Sequence, residues 1–282
     1  MLRHMCSRLQ GDFMNTENKV TLSVFVITKN EETKIVRCLS HLSFADELLV
    51  LDSESTDATV SLAKKFTKKI FTRKFEGYGP QKQAAIDKCS NTWILEIDAD
   101  EIVTPELAKE IMQLLSYPKK LEQHAAYAVV RQEFFMGKPL MKSLIPRLYR
   151  KDLVSYHEPI HEKLSIRGSI GRLSGILLHE SDRYETSADR IQKNNVYTTI
   201  EAQRLFATNH SSSLFSLFSF VSVLMRMIFV PCFYFLWLYF GKSLVFRGKR
   251  GLIWCFLTAH YHFLIYAKLY EYIYKQKHAS FV

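Results

Sequence analysis

The feature that most constrains this chain is an alternation running through residues 21–115. Short β-branched, apolar runs trade places with amphipathic stretches of about ten residues. Residues 21–28 (TLSVFVIT), 47–52 (ELLVLD), 69–75 and 93–98 (WILEID) read as strands. Residues 31–42, 57–66, 80–89 and 105–115 read as helices, the last two with proline near the start, where its missing N–H costs nothing. Strands alternating with helices form right-handed βαβ units, and so a mostly parallel sheet covered by helices: an α/β fold. Ligands of such sheets bind beyond the carboxyl ends of the strands. The residues to watch are therefore Lys29, Asn30 and Glu31 after the first strand, Asp52, Ser53 and Glu54 after the second, and Asp98, Asp100 and Glu101 after the fourth.

The middle of the chain loses this rhythm. Residues 126–135, 147–150, 163–166 and 175–179 read as short strands without full helices between them, an antiparallel extension; residues 137–147 read as a loop. Residues 187–207 read as an amphipathic helix with Ser187 as N-cap. Beyond residue 207 the chain turns apolar and basic. Eight Lys/Arg (Arg226, Lys242, Arg247, Lys249, Arg250, Lys268, Lys275, Lys277) face one acid, Glu271, and 20 of the 37 aromatic residues lie here. The cations are spaced between apolar runs, which suits an anionic membrane surface better than a nucleic acid. The runs 227–241, with Pro231, and 251–267, with His260 and His262, fall short of the ~20 residues of a simple span. Shallow or interfacial helices, true spans and a buried helical subdomain all remain open. The expected organisation is a polar N-terminus (1–19), a catalytic domain (20–207) and a membrane-associating helical region (208–282).

Composition excludes several classes. With 48% hydrophobic and 23% charged residues the chain is not disordered, and ten glycines are too few for a glycine-rich repeat. The five cysteines are scattered without a CxxC pair, so neither a disulfide framework nor a structural zinc site is expected. The N-terminus lacks the apolar run of a secretory signal. There is no GxGxxG after the first strand and no GxxxxGK[ST], against dinucleotide and P-loop chemistry.

Asp98-Ala99-Asp100-Glu101 leaves a buried strand. Carboxylates two residues apart repel, and a hard divalent cation with oxygen preference relieves that repulsion while bridging a diphosphate. The competing reading is a solvated acidic turn that caps the helix at Pro105. Asp52, at the end of its own strand, can accept from a nucleobase imide or a ribose hydroxyl; the competing reading is an Asp/Ser turn with an N-cap.

ITKNEE (27–32), LDSESTDAT (51–59), GYGPQKQAA (77–85) and EIDADE (96–101) together resemble the family 2 inverting glycosyltransferases of the GT-A fold. PIHEKL (159–164), LLHE (177–180) and AKLYE (267–271) resemble the branch that builds the lipopolysaccharide core, glucosyltransferases among them. The resemblance implies that Asp52, Thr28, Asn30 and Glu31 line the nucleotide pocket, with Lys82 beside it. It implies that Asp98 binds ribose or donor sugar and that Asp100 holds Mg²⁺ or Mn²⁺ against the diphosphate, with His179 as a further ligand or a satisfied core histidine. Inverting transfer needs one carboxylate to take the acceptor proton. Glu162 is the candidate base, Glu158 its alternative, and His161 a supporting group. HEPIHE is not a zinc HExxH, because its spacing and Pro159 do not put two histidines on one helical face. The implied partners are a nucleotide-sugar donor such as a UDP-hexose, a lipid-linked saccharide acceptor and the membrane surface, at the cytoplasmic face of the inner membrane, with no nucleic acid. Transfer to polyprenyl phosphate and a non-catalytic, membrane-tethered nucleotide-sugar binder are the alternatives. The chain departs from the family pattern at Glu54 and Ala58, where glycines are usual. A positive φ at either position is costly for a side chain.

Overall fold

The computed structural model describes residues 19–156, 164–180, 186–209 and 218–279. The alternation becomes β1 (Leu22–Thr28), α1 (Ile35–Ser40), β2 (Glu47–Asp52), α2 (Thr59–Ala63), β3 (Lys69–Thr72), α3 (Tyr78–Lys88), β4 (Trp93–Asp98), β5 (Glu101–Val103) and α4 (Pro105–Leu115). A short α5 (Pro118–Leu121) leads into β6 (Ala126–Phe135), β7 (Lys138–Arg150), β8 (Val154–Tyr156), β9 (Leu164–Ile166) and β10 (Ile170–His179). Three longer helices follow: α6 (Ser187–Asn209), α7 (Phe218–Leu236) and α8 (Gly248–Ala279).

Eight strands form one sheet in the order β3-β2-β1-β4-β7-β6-β10-β5, and β8 pairs with β9 separately. The first four are parallel, with Phe25 beside Leu49 and Leu95 beside Val24. β7 joins β4 antiparallel, and β10 joins β5 antiparallel. All seven residues of β1 are buried, because helices cover both faces. The period of two sorts them. Leu22, Val24 and Val26 pack with Ile35, Leu39, Leu107 and Ile111 on one face, whereas Phe25 and Ile27 pack with Ala85 and Ile86 on the other. Thr104 caps α4 by accepting from the Leu107 N–H at 3.3 Å, and Pro105 follows it. Gly175 lets β10 lie under this helix, since a Cβ there would stand 2.5 Å from the Leu107 Cα.

The chain divides into two compact units. One comprises residues 1–132 and 142–180; the other comprises 133–141, at the tip of the β6–β7 hairpin, and 181–282. α6 thus belongs with the C-terminal helices, where the sequence reading ends the catalytic domain after it. Its cap also differs from expectation. Thr186 Oγ1 accepts from the Asp189 N–H at 3.2 Å, and Asp189 accepts from the Thr186 N–H at 3.0 Å, a reciprocal box one residue ahead of Ser187. Residues 138–150 form one long strand rather than a loop with a short strand at its end. In the second unit, Val221–Gly241 is 21 residues long with mean hydropathy 1.9, long and apolar enough to cross a membrane, and only 17% of it is buried.

At the amino end of the parallel strands, Glu47 ties four elements together. It accepts from Ser23 Oγ on β1, Lys69 Nζ on β3, and the Ser90 N–H (2.7 Å) and Oγ (2.8 Å) before β4. Burial opposes its charge, but the Lys69 and serine bonds prevail and hold its carboxyl at about 2. A depressed carboxyl stabilises the fold above its unfolded pKa of 4.5, and that contribution is lost as pH falls toward 2. Because Lys69 is half exposed, solvent trims the effect to ~2 kcal/mol. Glu47→Gln is expected to cost about that much in urea denaturation at pH 7, with the gap to wild type narrowing steadily below pH 4.5.

Candidate active site

The carboxyl ends of β1, β2 and β4 gather the residues singled out in the sequence. The loops after β1 and β2 are zipped together. Asn30, at φ 54°, donates its N–H to Ser55 Oγ at 2.8 Å and accepts from the Thr56 N–H at 2.8 Å. The Glu31 N–H donates to Thr59 Oγ1 at 2.7 Å, and Glu32 accepts from the Ala58 N–H at 2.9 Å. Glu31 itself pairs with Lys34 at 2.8 Å. Asp52 is buried and accepts from both the N–H (2.9 Å) and the hydroxyl of Ser55, an Asx-type turn. Glu54 keeps the left-handed conformation that the family pattern reserves for glycine, at φ 59°. Replacing it by glycine is expected to raise stability by ~1 kcal/mol, read as a higher thermal midpoint.

Two buried polar atoms in this region lack a hydrogen-bond partner: Thr28 Oγ1 and Gln81 Oε1. Gln81 is fully buried and donates from Nε2 to Ser53 Oγ at 3.0 Å, so its carbonyl is held beside the β2 turn. Sequence reading passed over Gln81 in favour of its neighbour Lys82.

The acidic end of β4 is built around a cation that sequence reading missed. Arg147 on β7 is 4% exposed. It donates from one nitrogen to Glu96, and from the other to Asp98 and, at 2.6 Å, to Glu101. The β4–β7 register pairs Leu95 with Leu148, and its continuation sets Glu96 opposite Arg147. Period two then puts Glu96, Asp98, Arg147 and Tyr149 on one face. Lys82, 3% exposed, adds a second cation at 2.7 Å from Glu96 and 3.7 Å from Asp98. Tyr149 (2.8 Å) and Tyr156 (2.6 Å) donate to the other Glu96 oxygen. Arg131 stands 3.6 Å from Glu101. The repulsion between carboxylates expected to call for a metal ion is thus relieved at Asp98 by protein cations.

Charge balance follows from these positions. Burial works against the Glu96 and Asp98 carboxylates, but Lys82 and Arg147 hold both below the usual range. At Glu101 burial wins over Arg147 and pushes the carboxyl up. Burial lowers and the three carboxylates raise the Arg147 pKa, and the carboxylates prevail. Asp100 lies outside this cage. His179 Nε2 stands 3.6 Å from its carboxylate, brought there by the β5–β10 pairing of His179 with Glu101. Burial opposes the Asp100 charge and the His179 bond restores it, leaving its carboxyl low. Among the described residues no group of three or more His, Cys, Asp or Glu is arranged to hold a metal ion alone. Asp100 with His179 fits a cation that takes its other ligands from phosphate oxygens, as Mg²⁺ does in many nucleotide sites. Glu158, His161 and Glu162 lie outside the described residues.

Arg147→Met would take the shared cation from buried Glu96 and Glu101 and from the partly exposed Asp98, leaving Lys82 and Arg131 as their remaining cations; removing one side of such a cluster costs ~3–5 kcal/mol. That variant is expected to lose stability by this amount at pH 7 and to recover part of it near pH 4, as carboxylates protonate; Arg147→Lys, which cannot fork, should fall between. Chemical denaturation at both pH values checks the order.

Comparison with known proteins agrees with this architecture. The family model described as "Glycosyl transferase family 2" matches residues 23–166. The lipopolysaccharide core biosynthesis glycosyltransferase LpsC of Rhizobium meliloti is 30% identical over 266 residues, covering 90% of this chain and 93% of that protein. An uncharacterized glycosyltransferase of Rickettsia typhi is 31% identical, covering 89% and 87%. Among solved structures, residues 1–349 of S. aureus TarS in complex with UDP-GlcNAc align over 91% of this chain and 92% of that one, with 17% identity and a TM-score of 0.44. Glucosyl-3-phosphoglycerate synthase of Mycobacterium tuberculosis, in complex with Mn²⁺, UDP-glucose and phosphoglyceric acid, aligns over 40% and 44%, with 24% identity and a TM-score of 0.34. The chain belongs to glycosyl transferase family 2 and is a glycosyltransferase.

Proposed function

We propose that this enzyme transfers a hexose with inversion from a nucleoside diphosphate sugar, most simply a UDP-hexose, to a lipid-linked saccharide during assembly of the lipopolysaccharide core or a related envelope glycan. The observation that carries the reading is the unequal treatment of the two aspartates after β4. Asp98 is locked by Arg147 and Lys82, whereas Asp100 stands outside that cage with His179 at 3.6 Å. A site that spends two cations to fix one carboxylate and leaves its neighbour available suits a diphosphate brought in with its own cation. Bound Mg²⁺ or Mn²⁺ would supply charge stabilisation for the departing diphosphate, with Asp100, and His179 beside it, as its protein ligands. Asp98 is pre-oriented for a ribose or sugar hydroxyl, and Asp52 with Thr28 forms the floor for the base, with Asn30 and Glu31 bracing its rim. Glu162 takes the acceptor proton in this scheme, with Glu158 as the other candidate and His161 as an orienting group.

The acceptor assignment draws on the lipopolysaccharide core relative and on the exposed apolar helix of residues 221–241. The reading goes with work at the cytoplasmic face of the inner membrane. That same helix favours a second reading, transfer to polyprenyl phosphate, which calls for spanning helices; protease accessibility of the tail in membrane vesicles separates the two.

The direct test is a donor screen for nucleoside diphosphate release, with and without Mn²⁺ and with membrane lipid extract as acceptor source. Asp100→Ala is expected to cut release at least ~100-fold while thermal unfolding stays cooperative. Near-normal turnover in that variant would discard the cation-binding role.

A further inference from the structure

The second unit contains a cavity of about 390 Å³ that the transfer reading does not use. Three helical stripes meet around it. α6 contributes Arg190, Lys193, Asn194 and Tyr197, spaced i, i+3, i+4 and i+7 on one face. α8 contributes Trp254, Thr258, Tyr261 and His262 with the same spacing logic. The end of α7 contributes Tyr234, and the turn of residues 237–241 that follows contributes Trp237 and Leu238.

The chemistry of the walls is specific. The Arg190 guanidinium lies over the Trp254 ring at 4.4 Å, an arrangement that holds its charge against an apolar floor. Tyr234 stacks on His262 with centroids 3.7 Å apart and planes 14° apart. Lys193 stands one helical turn from Arg190 on the same wall. Such a pocket combines positive potential with aromatic walls, which suits a ligand that is anionic at one point and apolar beside it.

The surroundings identify the apolar part. Trp237 lines the cavity and is 43% exposed, so it stands at the mouth. Lys242 lies over its outer ring at 5.0 Å. Along the same segment Phe229, Phe233 and Phe240 are about 60% exposed, an apolar strip leading away from the opening. The backbone is also irregular here. Residues Trp237–Gly241 adopt a π-turn, closed by the Lys242 N–H donating to the Trp237 carbonyl at 2.9 Å. Such turns are rare and occur frequently at functional sites.

We infer that the cavity between α6, α7 and α8 binds the phosphate-bearing headgroup of a membrane lipid, with Arg190 and Lys193 facing the phosphate and the chains lying along Phe233 and Phe240. This goes beyond tail-to-membrane attraction by diffuse charge: it assigns one stoichiometric lipid site. It does not depend on the transfer reading, because occupancy is measured without donor or acceptor.

The test uses the full chain and its tryptophan fluorescence, two of whose three tryptophans line the cavity. The probe is dihexanoylphosphatidic acid, kept below its micelle concentration. A saturable spectral change is expected, weakened at least ~10-fold in Arg190→Gln/Lys193→Gln and within ~2-fold of wild type in Lys249→Gln/Lys275→Gln, which removes equal charge elsewhere in the unit. Inorganic phosphate at equal concentration should neither produce nor block the change. If the double variant fails to fold, Lys193→Glu, which leaves Arg190 on Trp254, carries the same expectation. Equal weakening in both charge pairs, an unaffected pocket variant, or an equal response to inorganic phosphate would each overturn the proposal. Loss of sugar transfer with intact lipid binding, or the reverse, tells the failure of one reading from that of the other.

Discussion

The site depends on one buried guanidinium. Arg147 touches Glu96, Asp98 and Glu101, all at the carboxyl end of β4 or the start of β5. Placing three carboxylates within reach of one another in a protein interior is unfavourable by several kcal/mol per charge unless each is paired. A single planar fork from β7, with Lys82 from α3, satisfies that need, and it does so from two different elements on the same face of the sheet. The antiparallel arrival of β7 beside β4 is therefore an electrostatic requirement of the site as well as a feature of topology. An apolar residue in place of Arg147 would leave the EIDADE carboxylates with Lys82 and Arg131 as their remaining cations.

The two ends of the parallel strands use acidic residues in opposite ways. At the amino end, Glu47 spends both oxygens on Ser23, Lys69 and Ser90, and nothing there opens toward a ligand. At the carboxyl end, hydrogen bonds are spent on geometry: Asn30, Glu32 and Asp57 stitch one loop to the next through backbone N–H groups. The strain of Asn30 and Glu54 at positive φ belongs to the same arrangement. Residues held in sparsely populated backbone regions persist where surrounding bonds over-determine them. Here those bonds hold the turn that carries Asp52. Much of the motif in these two loops is thus spent on holding the loops themselves together.

The legible and illegible parts of the sequence differ for physical reasons. β2, β4, α4 and β6 fall where residue pattern puts them, because each is a run whose burial is dictated by its own apolar period. β7 was read as a loop for most of its length, since Pro139, Pro146, Lys138 and Lys142 break the alternation. Its pairing with β4 runs through residues 148–150, inside the stretch 147–150 that reads as a strand. Arg147 escaped notice for a related reason. A basic residue in a polar-looking stretch signals solvent unless its partner strand is known, and that partner lies some fifty residues earlier. The PRLYR sequence did contain a clue: Arg147 and Tyr149 share a face, as do Glu96 and Asp98. The contribution of His179 was readable only as a motif, because the β5–β10 register that delivers it to Asp100 is non-local.

The AKLYE motif illustrates how a sequence likeness can carry structure rather than chemistry. Lys268 is its lysine, and it donates to the Asn195 carbonyl (2.6 Å) and side chain (2.7 Å), Thr198 (2.9 Å) and Thr199 (2.8 Å). Four neutral oxygens of α6 thus converge on one ammonium of α8, more acceptors than its three protons can serve singly. Such a clamp fixes both the axial register and the rotation of α8 against α6. A slip of one residue would turn Trp254 and Tyr261 by about 100° away from Arg190 and Tyr197. The cavity between these helices therefore exists only in the register that Lys268 enforces, and the lysine shapes a binding surface without touching what binds there.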